Sequence, residues 1–193
     1  PILGLVRKPG KVSADKLHFM GDDLLAYSPK QWNQLRGKTI SMVLQDPRYA
    51  LNPVKTIYQQ VEETVKLHQK LSHKDRHALI TETLLSVGLP EQSISRYPGE
   101  LSGGMGQRAM IAIALINNPT VLIADEPTSA LDAQLRHQIL ELIITQCAQR
   151  DMALLLISHD LPLVAEYCDR VMVMYQGEQV DELEAKALPQ ATH

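Results

Sequence analysis

Four short stretches of this 193-residue chain carry side chains able to act on a phosphate ester or a metal ion. The first is Val121-Leu122-Ile123-Ala124-Asp125-Glu126, an apolar run ending in two adjacent carboxylates. At the carboxyl end of a buried strand such acids project into the crevice where α/β sheets bind ligands. There Asp125 can hold Mg²⁺, and Glu126 can orient or deprotonate water. Taken alone, the pair reads equally as a strand end with two solvated acids entering an Asp-Glu-Pro turn. The second stretch, Leu101-Ser102-Gly103-Gly104, precedes an apolar helical segment, so its amides and the helix N-terminus form an anion site. In isolation it is more simply a tight turn into a helix. The third holds His159, in Ser158-His159-Asp160 after the apolar residues 154–157; a histidine poised near neutral pH can sense or stabilise a terminal phosphate. The fourth is Gln45, just after residues 39–44, where it could reach water or metal. Neither residue means much by itself. All four in one order mean a great deal.

The elements that must hold these groups show in the patterning. Residues 39–44 (TISMVL), 121–124, 154–157 and 171–174 are short apolar runs without polar alternation. The last three are separated by helical segments at about 135–150 and 162–168. Unalternated runs interleaved with helices predict parallel strands covered on both faces. The middle is predicted helical. Ile57, Val61 and Val65 recur at four-residue steps to form one apolar face. Ser72 and Asp75 form a capping box, and Leu79, Ile80, Leu84 and Val87 run on to a stop at Gly88. Ser28-Pro29 supplies an N-cap and an N1 proline, with Gly37 as the stop of a short helix. Residues 1–26 read as the end of a helix followed by extended structure. The fold class is α/β, with a helical insertion at about residues 50–117.

Composition narrows the function classes. Apolar residues make up 45% and charged residues 21%, which is ordinary for a globular domain and excludes wholesale disorder. Net charge is −3, and the basic residues are scattered, with no block longer than Arg7-Lys8; this argues against a nucleic-acid partner. Aromatic residues are only 4%, too few for a base-stacking surface. The longest apolar runs, such as 111–116 and 153–157, fall far short of the roughly 20 residues that span a bilayer. Cys147 and Cys168 form no CxxC pair, which favours a reducing compartment and inert thiols. His73 and His77 stand at i and i+4, as zinc ligands can, but without a third ligand they read as a solvated helix face, as do Glu62-Glu63 and Asp22-Asp23.

In this order, the motifs resemble the ATP-binding subunit of ABC transporters over essentially the whole chain. Gln45-Asp46-Pro47 resembles the Q-loop, Leu101 to Met105 the ABC signature, and Val121 to Glu126 the Walker B strand with its catalytic Glu. Ser129-Ala130-Leu131-Asp132 resembles the D-loop, and His159 the switch histidine. Leu51-Asn52-Pro53, Tyr97-Pro98, residues 123–128 and residues 161–175 are similar to the dipeptide/oligopeptide/nickel import branch. Met105 stands where most of the superfamily has Gln, as is common in that branch. Gly106 replaces a larger, often basic residue, and Gly99 a frequent His. Gly106 lies in the first turn of the signature helix, where it costs up to about 1 kcal/mol against Ala.

One motif is absent from these residues: there is no Gly-x-x-x-x-Gly-Lys-Ser/Thr. Gly37-Lys38-Thr39 is not its remnant. Five positions earlier stands Trp32, no strand leads in, and the triplet reads as a turn. Ile2-Leu3-Gly4-Leu5 instead resembles the end of the helix that follows a Walker A loop, and the match continues through Gly21, Asp23 and Leu24. The expectation is therefore a fragment, or an N-terminally truncated subunit. Pro1 would lie just downstream of the missing loop and of the adenine-stacking aromatic, and the family usually continues past Thr192-His193.

The resemblance implies a partial P-loop NTPase core of ABC type, residues 1–49 and 118–193. Residues 50–117 would form a helical subdomain ending in the signature helix. It implies ATP and Mg²⁺ held between two ATP-binding subunits, identical or paralogous, arranged head to tail. Ser102, Gly103 and Gly104 would complete the partner's site, while Asp125 and Gln45 would hold the metal. Glu126 would polarise the attacking water, His159 would touch the γ-phosphate, and Asp132 would connect the paired sites. The helical subdomain would dock on transmembrane permease subunits at the cytoplasmic face of the inner membrane, powering import of a peptide or nickel-type substrate. This stretch alone is expected to be inactive. One alternative is a non-catalytic subunit that only completes a partner's ATP site. A second is a DNA-repair type of ABC ATPase, which the short Gln45-to-Ser102 interval disfavours, having neither heptads nor zinc modules.

Overall fold

The computed structural model describes residues 2–6, 9–129 and 131–190. Pro1, Arg7-Lys8, Ala130 and Thr192-His193, singled out above, lie outside the described residues. In chain order the elements are β1 (His18–Phe19), β2 (Asp22–Asp23), α1 (Pro29–Leu35), β3 (Ile40–Val43), α2 (Pro47–Ala50), α3 (Ile57–His68), α4 (His73–Ser86) and α5 (Gly103–Leu115). They continue as β4 (Val121–Asp125), α6 (Ala133–Gln149), β5 (Ala153–Ile157), α7 (Leu161–Tyr167), β6 (Arg170–Tyr175) and β7 (Glu178–Glu184).

Polar punctuation sets the helix boundaries. Ser28 and Gln31 form a reciprocal capping box at α1, whose first residue is Pro29, and Thr56 and Gln59 do the same at α3. Ser72 caps α4 by accepting from the Asp75 amide. Gly37 and Gly88 follow α1 and α4 with φ of +71° and +77°, a conformation that ends a helix readily only at glycine. The expected helix end at the start of the chain is replaced by turns over residues 2–4. Gly4 has φ +59°, and an added Cβ would stand 2.6 Å from the Trp32 indole. The carbonyls of Leu3 and Gly4 accept from the Arg36 guanidinium at 2.7 and 2.8 Å.

Strands β3, β4 and β5 form a parallel sheet in that order, with Val43 opposite Ala124 and Asp125 opposite Ile157. One core runs from the helical middle into this sheet. Ile57, Val61, Val65, Ile80, Leu84, Ile111 and Leu115 cluster with Val43, Leu122, Ile139 and Ile143. Each such side chain contributes roughly 1.5–3 kcal/mol on burial. A second cluster of Leu24, Leu35, Ile40 and Ile123 covers the other face of β3 and β4.

Two strand expectations are corrected. Residues 154–157 are covered on one face only: Leu154 and Leu156 pack inward, while Leu155 and Ile157 are 41% and 45% exposed. Residues 171–174 do not join the parallel sheet. They lie in β6, which pairs antiparallel with β7, Val171 opposite Leu183 and Tyr175 opposite Glu178. The reason is the intervening Gln176-Gly177, with φ of +49° and +86°, a two-residue primed turn that folds the chain straight back.

Candidate functional site

Because β3, β4 and β5 are parallel and adjacent, the residues leaving their carboxyl ends emerge at one edge of the sheet. Gln45 follows β3, Asp125 ends β4 with Glu126 next, and His159 follows β5. The fold brings three of these side chains into contact. The Gln45 amide donates from Nε2 to Glu126 Oε2 at 3.2 Å, and His159 Nδ1 stands 2.8 Å from Glu126 Oε1. Both carboxylate oxygens of Glu126 are therefore engaged by residues far from it in sequence. The His159 side chain is largely exposed, so solvent screens this pair.

Glu126 has φ +44°, a left-handed conformation that strains a non-glycine residue by about 1–3 kcal/mol. Its neighbours hold it there. The Glu126 amide donates to the Ile157 carbonyl at 2.9 Å, extending the β4–β5 ladder by one residue. The Glu126 carbonyl accepts from the Ser129 amide at 3.3 Å and from the Ser129 hydroxyl at 3.2 Å.

Asp125 and Gln45 line one open cavity of about 540 Å³, with Leu44, Asp46, Tyr49 and Ser129. Asp46 caps α2, accepting from the Arg48 amide at 2.8 Å. The Arg48 guanidinium, hydrogen-bonded to that carboxylate, holds it below the usual carboxylate range. A smaller cavity of about 60 Å³ lies between Glu126, His159 and Asp160. Asp160 caps α7 and stands 3.7 Å from Arg136.

Ser102, Gly103 and Gly104 sit apart from this trio. Ser102 caps α5, its hydroxyl accepting from the Met105 amide at 3.4 Å, and Gly103 and Gly104 make the first turn. Among the described residues none of the three hydrogen-bonds to Gln45, Glu126 or His159. A Cβ on Gly104 would come within 3.4 Å of Leu135, so α5 starts close against α6. Asp132 caps α6, accepting from the Leu135 amide at 3.0 Å.

Sequence reading passed over Gln107, which is only 1% exposed and donates from Nε2 to the Pro127 carbonyl at 2.6 Å. Its one available signal is a polar side chain in a mostly apolar helix, a signal that Arg108 beside it shares. Among the described residues no group of three or more His, Cys, Asp or Glu could hold a metal ion. His77 instead lies 5.5 Å from the Tyr58 ring, centre to centre. No helix among the described residues is long and apolar enough to cross a membrane.

The comparisons with known proteins agree with this architecture. The profile of the ABC transporter family matches residues 2–129. The dipeptide transport ATP-binding protein DppD of Haemophilus influenzae is 46% identical over 187 residues, covering 96% of this chain and 57% of DppD. The oligopeptide transport ATP-binding protein AppD of Bacillus subtilis is 43% identical over 183 residues, covering 93% of this chain and 56% of AppD. The chain thus spans little more than half the length of these curated relatives. Among solved structures, the dimeric ATP-binding cassette MJ0796, in a post-hydrolysis state bound to ADP and Pi, superposes with a TM-score of 0.77 at 26% identity. That match covers 87% of this chain and 72% of MJ0796. The structure of cbiO1 from Clostridium perfringens, part of the ABC transporter complex cbiONQ, superposes at 0.83 and 28% identity, covering 98% and 72%. The α/β fold with its parallel sheet is that of the ABC ATPase cassettes, and the chain belongs to the ABC transporter family.

Proposed function

We propose that these residues belong to the ATP-hydrolysing subunit of an importer for peptides. The observation that carries the reading is the Glu126 carboxylate, held at the end of β4 between Gln45 and His159. Glu126 is the base that polarises the attacking water. In the resting arrangement both its oxygens are engaged, so His159 or Gln45 must turn toward an incoming phosphate to free one of them for water. His159 touches the γ-phosphate. Asp132 links the paired sites, and Ser102, Gly103 and Gly104 face the nucleotide of a second ATP-binding subunit. Their separation from the Glu126 trio within one chain accords with that division.

The donor set suits Mg²⁺. Asp125 and Gln45 offer a carboxylate and an amide oxygen to one open cavity, and a hard cation that keeps several waters needs few protein ligands. Bound there, the ion would neutralise charge on the phosphates. Residues 1–49 and 118–193 form the nucleotide core. Residues 50–117 form a helical arm that docks on permease subunits, placing the protein at the cytoplasmic face of the membrane. DppD and AppD are named for dipeptide and oligopeptide transport, which supports peptides over nickel. No Gly-x-x-x-x-Gly-Lys-Ser/Thr lies within these 193 residues, so this stretch alone hydrolyses no appreciable ATP.

The test is Glu126→Gln in the full-length subunit. ATP binding should persist while turnover falls by roughly 10² or more, the scale of general-base effects. Undiminished hydrolysis would remove Glu126 from the role.

A further inference from the structure

We infer that the consecutive residues Gly106 and Gln107 of α5 are positioning residues that set the contact between Gln45 and Glu126. The inference rests on the proposed role of Glu126. Adjacent residues on a helix point about 100° apart, so one turn of α5 can face two neighbours at once. Gly106 faces α2. It is buried, and a Cβ there would lie 3.3 Å from both Cβ and Cγ of Pro47, a distance that forces the neighbour to move. Pro47 is the first residue of α2, two positions after Gln45. Gln107 faces the other loop. Its buried amide donates at 2.6 Å to the carbonyl of Pro127, the residue after Glu126.

The first turns of α5 therefore touch both loops whose side chains meet at 3.2 Å in the Gln45–Glu126 bond. Gly106 determines how near the Gln45 loop can come. Gln107 pins the Glu126 loop at the point where its backbone is already strained. Glycine is a poor helix former, and its place here follows from the close approach of α2 rather than from the helix itself. A displacement of α2 is thus passed to Glu126 by a rigid spacer two residues wide.

The test uses the full-length subunit with Gln107→Leu, Gly106→Ala and Gly106→Leu. Gln107→Leu should lower kcat for ATP about tenfold with KM within about twofold, the signature of a misplaced catalytic group rather than lost substrate binding. Combined with Gln45→Ala, it should lower kcat less than about threefold further, because both changes remove one contact. Gly106→Ala raises helix propensity, yet should lower kcat about two- to threefold without lowering Tm, a divergence that a purely structural role does not produce. Gly106→Leu should speed exchange of the Ala50 and Leu51 amides, which bond to the Asp46 and Pro47 carbonyls. Additive effects in the double variant, or unchanged kcat in Gln107→Leu and Gly106→Ala, overturn the inference. Should Gln107→Leu fail to fold, Gly106→Ala decides. A wild-type subunit without ATPase activity defeats the functional reading instead, and amide exchange in α2 then decides the spacer on its own.

Discussion

Strands β4 and β5 lie side by side, parallel and in register, but in different surroundings. On β4, Leu122 packs into the large core with Ile111 and Ile139, and Ile123 packs on the opposite face with Leu24, Leu35 and Ile40. On β5, Leu154 and Leu156 are covered from the side of α6 and α7, while Leu155 stands 41% exposed. The functional groups divide along the same line. Asp125 and Glu126 leave the covered strand, and Glu126 is held by backbone bonds on both sides. His159 leaves the open strand with its side chain largely in solvent. A carboxylate clamped through its backbone, paired with a histidine open to solvent, is the arrangement expected where one partner stays and the other moves. Strain at Glu126 is tolerable because the strand beneath it is packed on both faces.

This comparison can be broken experimentally. In the 193-residue chain, Leu122→Ala should lose about 3 kcal/mol in urea denaturation, the range for emptying a closed core site. Leu155→Ala should lose less than about 1 kcal/mol, as for an ordinary surface substitution. Equal losses would mean that both strands are closed on both faces.

Charges sharpen the contrast at the next size down. The ammonium of Lys66, and after it the guanidinium of Arg76, hold the Glu62 carboxyl below its ordinary range; each stands 2.8 Å away, and Glu62 and Arg76 are mostly covered. A lowered folded-state pKa gives stability that is present above the unfolded value of about 4.3 and is lost as pH falls through the folded one. Glu62→Gln should therefore cost about 1 kcal/mol at pH 7 and flatten the acid limb of stability against pH. Asp46 is also held low, by Arg48, whose guanidinium is largely open to solvent. Paired with an exposed, solvent-screened guanidinium, Asp46→Asn should flatten that limb less than Glu62→Gln does.

The smallest effect concerns thiols. Burial in the large core pushes the Cys147 thiol up to about 11, and burial also raises that of Cys168, half-buried near the β6–β7 hairpin. At pH 8 about a thousandth of Cys147 is thiolate, so alkylation of the native chain should reach Cys168 first and Cys147 only on unfolding. Equal labelling rates would show that the α6 face opens as readily as the hairpin.

Much of this was legible in the residues. Ser28, Thr56, Ser72 and Ser102 precede apolar periodicity and each caps a helix, because a side-chain oxygen beside a free amide needs no tertiary help. The order of Gln45, the signature, Asp125-Glu126 and His159 along the chain points to the family by itself. The hairpin was not legible as such. The polar residues of β7 carry little apolar signal, and Gln176 adopts positive φ without the glycine or asparagine that usually marks it.

Local chemistry along the chain therefore determined where the capped helices begin and that the unalternated apolar runs are strands. Those properties depend on neighbours a few positions away. Tertiary structure alone decided which strands are covered on both faces, that β6 turns back on β7, and that Gln45 and His159 close on Glu126. It also decided that Gly106 and Gln107 reach the loops beside Pro47 and Pro127. Each of these depends on groups brought within a few ångströms across long stretches of chain, and pairwise distance in space is not a property of spacing in sequence.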